Sequence, residues 1–262
     1  MLQLLLRSAR HFTAAASDLE LDLVRGWPER PAGSRAKRLT LIRHAEALHN
    51  RDAREIPNYF ADGLGHTQAY WDAPLTPHGE EQARLLAGKL QWRQEKGSPQ
   101  LVAVSPMTRT LQTASLAFLD IPNPAYGRTP LRRPPFVATS LARERMGNHT
   151  CDGRRERAAL AADFPHVDFR EVADGPDDMW EHKEMEPDQM DSTACAARAE
   201  RLLRWLWERP ETEIAVVSHW VFLSHLLRPY ALPAEYVKMG NAEMRFVTLQ
   251  LRESTVPLKQ EL

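Results

Sequence analysis

Leu39-Thr-Leu-Ile-Arg-His-Ala-Glu46 is an apolar run that breaks off abruptly at Arg43 and His44. Four residues of this kind read as a buried strand, and in an open α/β sheet ligands bind beyond the carboxyl ends of the strands. An arginine and an imidazole delivered together at such an end describe an anion site with a candidate nucleophile. Two further apolar runs finish in the same way. Leu101-Val102-Ala103-Val104 is followed by Ser105 and, a few residues on, by Arg109; Ile214-Ala215-Val216-Val217 is followed by Ser218-His219. Three strand ends thus offer an Arg-His pair, an arginine and a histidine.

The stretches LIRHAEALHN, DAPLTPHGEEQA, VAVSPMTRTLQTA, LARERMGNHTCDGRR and IAVVSHWVFLSHLL occur in that order along the chain. Together they resemble the histidine phosphatase superfamily, the phosphoglycerate-mutase-like group, and within it the plant and fungal phosphoglycerate-mutase-like proteins. The resemblance covers about residues 38 to 250. It implies an α/β three-layer sandwich, with a mostly parallel central sheet flanked by helices. It also implies a phosphohydrolase with His44 as nucleophile, Glu144 as proton donor and His219 as a further catalytic group. Arg43, Asn50, Arg109 and His219 become the phosphate-binding set. The activity expected is metal-independent hydrolysis of a small phosphomonoester through a phosphohistidine, with no cofactor. Phosphoglycerate mutase-type phosphotransfer and a non-catalytic phosphate-binding module are the alternatives.

The chemistry suits these residue types. Phosphoryl transfer spreads negative charge over three equatorial oxygens, and fixed cationic donors can meet it without a metal. Two guanidiniums supply planar forks and also favour a neutral, nucleophilic imidazole beside them. Glu144 stands between Arg143 and Arg145, which are expected to turn toward solvent, substrate or other acids. The family's usual Arg-His-Gly is Arg-His-Ala here, and Trp220 replaces a small residue after the second histidine, which predicts a narrowed or shifted pocket mouth. His49, His66, His78, His149, His166, His182 and His225 lack metal-ligand spacing and read as surface or core groups.

At 262 residues and 43% hydrophobic content the chain can bury a substantial core. A net charge of -1 provides no general field for nucleic acid, so the expected partner is a small phosphorylated substrate. The only cysteines, Cys151 and Cys195, match neither a zinc site nor a disulfide framework. No run approaches the ~18 apolar residues of a membrane span.

Residues 1–37 read as an N-terminal extension plus linker, 38–252 as the catalytic domain and 253–262 as a tail. Within the extension, residues 1–17 carry arginines, serines and leucines but no acid, a composition that fits mitochondrial or plastid import; otherwise the default is cytoplasmic. Pro28, Pro31, Gly33 and Ser34 mark the linker.

Thr76-Pro77 signals a helix start, with Ala83, Leu86, Ala87 and Leu90 facing the sheet. Further helices are expected at about 106–118, 188–208 and from the second histidine to about Leu227. Short strands are expected at 136–139 and 244–251. The segments 45–74 and 121–135 read as irregular connections. The acid-rich stretch 171–191 reads as a solvated loop, with Trp180 suggesting an active-site lid.

Overall fold

A computed structural model describes residues 20–28, 35–94, 99–119, 134–183 and 192–252. The proposed import segment 1–17, most of the linker, the Pro-rich segment 121–133, residues 184–191 and the tail 253–262 lie outside the described residues.

The centre of the molecule is a seven-stranded sheet of order β1-β7-β2-β6-β3-β4-β5. Its strands are β1 (Leu21–Arg25), β2 (Ala36–Arg43), β3 (Leu101–Val104), β4 (Phe136–Thr139), β5 (Val167–Glu171), β6 (Glu213–Ser218) and β7 (Met244–Leu251). β2, β6, β3, β4 and β5 pair in parallel, while β7 runs antiparallel to both β2 and β1. The central strands are continuous apolar runs because both faces are covered. Ile42, Val102, Val104, Ala215 and Val217 pack on one face, against α2 (Pro77–Gln94) and α3 (Thr108–Phe118). Leu39, Leu41, Leu101, Ala103, Ile214 and Val216 pack on the other, against α6 (Thr193–Glu208) and α7 (Trp220–Leu227). This is the expected α/β three-layer sandwich.

The helices start where local chemistry satisfies their first N–H groups. Thr76 Oγ1 accepts from Gly79 N–H at 3.0 Å, and Ala83, Leu86, Ala87 and Leu90 of α2 are buried. Ser192 Oγ accepts from Cys195 N–H at 3.1 Å, so α6 begins at Thr193. α3 starts at Thr108 rather than near Pro106, because Asp72 accepts from Thr108 N–H at 2.8 Å and from its hydroxyl at 2.6 Å.

Both sheet edges depart from the sequence reading. The sheet draws on residues before Lys37: β1 pairs with β7 from Leu21↔Leu251 to Arg25↔Val247. β5 forms within a segment for which no strand was expected, and buries Val167 and Phe169 while Asp168 and Arg170 face outward. α1 (Leu48–Glu55) and short 3-10 turns at Leu64–His66 and Gln68–Tyr70 occupy the long connection after β2. α4 (Arg157–Asp163), α5 (Asp178–Glu181) and α8 (Ala234–Val237) complete the described α-helices, with further 3-10 turns at Ser140–Ala142 and Thr150–Asp152. Among the described residues no helix is long and apolar enough to cross a membrane.

Candidate active site

Parallel pairing puts the carboxyl ends of β2, β6 and β3 side by side. Arg43 is in register with Ser218, and Val104 with Val217. The next hydrogen bonds carry this alignment one residue beyond the strands: His44 N–H donates to Ser218 O at 2.9 Å, and Ser105 N–H to Val217 O at 3.0 Å. His44, Ser105 and His219 therefore meet above the sheet.

His44 is buried, and its Nδ1 lies 2.7 Å from Ala45 O. A carbonyl only accepts, so Nδ1 carries the ring proton and Nε2 keeps a lone pair. Burial, followed by the nearby charges of Arg109 and Arg43, holds its pKa well below the ordinary histidine value. Ala45 is fully buried, its N–H donates to Thr113 Oγ1 at 3.0 Å, and it is absent from the residues with positive φ. Alanine therefore fits where the family has glycine.

Arg109 enters from the first turn of α3 and is buried. Its Nη1 donates to Cys151 O and its Nη2 to Asp152 Oδ1 at 3.2 Å. Nη2 also lies 3.2 Å from His219 Nδ1, which must be the acceptor since a guanidinium cannot accept. His219 then donates its Nε2–H to Ser105 Oγ at 2.8 Å. Its ring centroid is 5.2 Å from that of His44, and burial before all else lowers its pKa well below the usual value. Both His219 nitrogens are thus engaged by protein groups.

Arg43 donates to Met239 O at 2.9 Å, and its guanidinium lies 5.8 Å from the centre of the Trp220 ring. Trp220 is 38% exposed and opens α7, so its indole is partly open to solvent beside Arg43. Asn50 Oδ1 accepts from Ala47 N–H at 3.0 Å and from Asn241 Nδ2 at 3.3 Å, so its oxygen is committed to the start of α1 and to Asn241.

Glu144 lies close to this group. Its Oε1 accepts from Phe222 N–H at 2.7 Å and Arg145 N–H at 2.8 Å, and its Oε2 from Val221 N–H at 3.2 Å. The carboxylate caps the N-terminus of α7, where the helix dipole favours negative charge. Arg143 turns away from it, to both oxygens of Asp177 and to Asp152 O. At Asp177, then, the acid-rich stretch is a buried ion pair and not a solvated surface.

Residues 39–125 match the histidine phosphatase superfamily (branch 1). A phosphoglycerate mutase-like protein of Arabidopsis thaliana is 35% identical over 240 residues, covering 82% of this chain and 85% of that protein. The chain belongs to the histidine phosphatase superfamily. A second Arabidopsis thaliana relative, phosphoglycerate mutase-like protein 1, is 34% identical over 74% of this chain and 71% of its own length. The structure of the alpha-ribazole phosphatase from Shigella flexneri aligns with a TM-score of 0.46 at 24% identity, covering 82% of this chain and 94% of that one.

Sequence reasoning missed several groups that hold the candidate site in place. Arg198 of α6 is buried, and donates to Arg143 O at 2.6 Å, Glu144 O at 2.8 Å and Leu141 O at 3.2 Å, fixing the segment that carries Glu144. Ser218 Oγ donates to Ala142 O at 2.7 Å and ties β6 to that segment. Asp152 is enclosed beside Arg109, and burial pushes its pKa up to about 7. Trp180 packs edge-on against Trp71 at 5.2 Å, and Trp71 lies flush on Gly153, next to Asp152.

Proposed function

We propose that the protein is a metal-independent phosphatase that transfers the phosphoryl group of a small phosphomonoester to His44 Nε2 and then to water. The observation that carries this reading is the Nδ1–H···O=C bond from His44 to Ala45, which fixes the tautomer and leaves Nε2 as a neutral nucleophile between two guanidiniums. Arg43, Arg109 and Asn50 are proposed to hold the non-bridging oxygens, where charge develops in the transition state. His219 is proposed to hold Arg109 in place, and reaches the phosphoryl group itself if its N–H is released from Ser105. Glu144 is proposed to protonate the departing oxygen and then to accept a proton from the attacking water. Oε2, with the single longer hydrogen bond, is the oxygen best placed for that exchange.

The balance of the two steps is simple. Nε2 forms a bond to phosphorus while the ester oxygen leaves with the proton of Glu144. Water then cleaves the P–N bond, gives its proton to Glu144 and releases inorganic phosphate. No charge imbalance is left on the enzyme.

The test is release of phosphate from an aryl phosphate, with and without a chelator, by the native chain and by His44→Ala. Chelator-resistant release that is lost in the variant is expected. Phosphate binding without turnover would favour a binding module. Conversion of 3-phosphoglycerate that requires added bisphosphoglycerate, with no net phosphate release, would favour a mutase.

A further inference from the structure

One titratable side chain beside the pocket has no part in the chemistry above. His49, in the first turn of α1 and one residue before Asn50, has its ring centroid 6.1 Å from that of His44, with the ring planes tilted by 52°. Its Nδ1 is buried and has no hydrogen-bond partner among the described residues. An orphaned buried nitrogen has lost water without gaining a partner, and such groups in folded proteins call for an explanation.

His49 also shares the electrostatic setting of the nucleophile. Burial first, then Arg109, Arg43 and His149, holds the ring neutral. The two guanidiniums in that set are those that frame His44. The contrast with the other two rings is specific. His44 gives its Nδ1–H to Ala45 and His219 is engaged at both nitrogens, whereas His49 Nδ1 meets no acceptor or donor among the described residues. Its backbone is meanwhile well placed, since its neighbour Asn50 is bonded to Asn241, which bonds in turn to His44 O at 3.1 Å.

We infer that His49 is a further phosphate-binding residue, donating its Nδ1–H to a non-bridging oxygen of the phosphoryl group that His44 attacks. The inference rests on the phosphatase reading above and adds one ligand to its anion pocket. A neutral imidazole N–H suits the place: it supplies a directional donor without bringing a third desolvated cation next to Arg43 and Arg109. Spacing predicted only a surface or core histidine because nothing in the sequence shows that the start of α1 folds back over the end of β2.

Two variants of the full chain separate this from a packing role. His49→Phe keeps a flat ring and removes the donor; His49→Asn restores an N–H near the position of Nδ1. Inorganic phosphate binding by titration calorimetry, hydrolysis of an aryl phosphate, and the unfolding midpoint are measured for each. A hydrogen bond to a charged partner corresponds to about a 10- to 100-fold effect. His49→Phe is therefore expected to lose about that factor in phosphate affinity and in kcat/KM, with no fall in midpoint, and His49→Asn to recover most of it. Should the phenylalanine variant not fold, His49→Ala against His49→Asn gives the same comparison. Phosphate affinity within twofold of the native value in the donor-less variant, or an asparagine variant as impaired as that one, overturns the inference. If the native chain turns over an aryl phosphate and the variants match it, His49 alone is misassigned. If the native chain neither binds phosphate nor hydrolyses the ester, the phosphatase reading fails and this inference with it.

Discussion

Glu144 occupies a position with two consequences, because the carboxylate that caps α7 is also the group proposed to move a proton. Glu144→Gln keeps an acceptor oxygen for Phe222 N–H but cannot protonate a leaving group. General acid help is worth about 10²–10⁴-fold for a poor leaving group and much less for one that departs as a stable anion. The expected result is therefore a large loss on an alkyl phosphate and a small one on a nitrophenyl phosphate, read as the ratio of the two kcat/KM losses. Equal losses on both would remove the proton-donor role and leave only the cap. The strand-end residues Arg43, His44, Arg109 and His219 were legible because each follows an apolar run directly or within five residues. Arg198 and Asp152 were not. They act on backbone carbonyls and on another side chain, and such contacts exist only after α6 and the Cys151–Gly153 segment have folded against the sheet.

Among the elements, α2 contains two glycines that should respond in opposite ways. At Gly79 a Cβ would stand 1.9 Å from Glu46 O, so this glycine is what lets the helix start press against the loop leaving β2. Gly88 lies exposed in the same helix with nothing within 4 Å of an added Cβ. Gly79→Ala is expected to destabilise by about 2 kcal/mol or more through overpacking, and Gly88→Ala to stabilise by about 0.5–1 kcal/mol through helix propensity. Urea unfolding checks both; a Gly79→Ala midpoint equal to the native one would contradict the close approach. The elements legible in sequence were those with strong punctuation or unbroken apolar character, such as Leu101–Val104, Phe136–Thr139 and the Thr76-Pro77 helix start. The edge strands β1 and β5 were missed for a physical reason. Edge strands bury one face, carry charges such as Asp22, Arg25, Asp168 and Arg170, and owe their conformation to a partner strand far away in sequence.

For the whole molecule, the buried neutral histidines link stability to pH. In the unfolded chain the rings of His44, His49 and His219 gain protons as pH falls through about 6.5. In the folded state their pKa values lie well below that, so there the unfolded state binds more protons and stability is lost with acidification. Each ring contributes up to about 1.4 kcal/mol per pH unit. Asp152 acts in the opposite sense. Its folded carboxyl titrates at about 7, against about 3.9 unfolded, so between those values the folded state holds the extra proton and this group offsets about one ring. Stability should therefore fall between pH 6.5 and 5, approaching about 3 kcal/mol per pH unit at the lower end, and more steeply in Asp152→Asn. A flat profile over that range would mean that the rings are solvated. The strand-end convergence itself is tested most directly by catching the covalent intermediate. Rapid mixing of the native chain with an aryl phosphate, a denaturing alkaline quench and peptide mass analysis should find one phosphoryl group on the peptide containing His44, labile to acid and absent from His44→Ala. A phosphoryl group on another residue, or turnover by the native chain with no adduct on His44 at any time, would contradict the account.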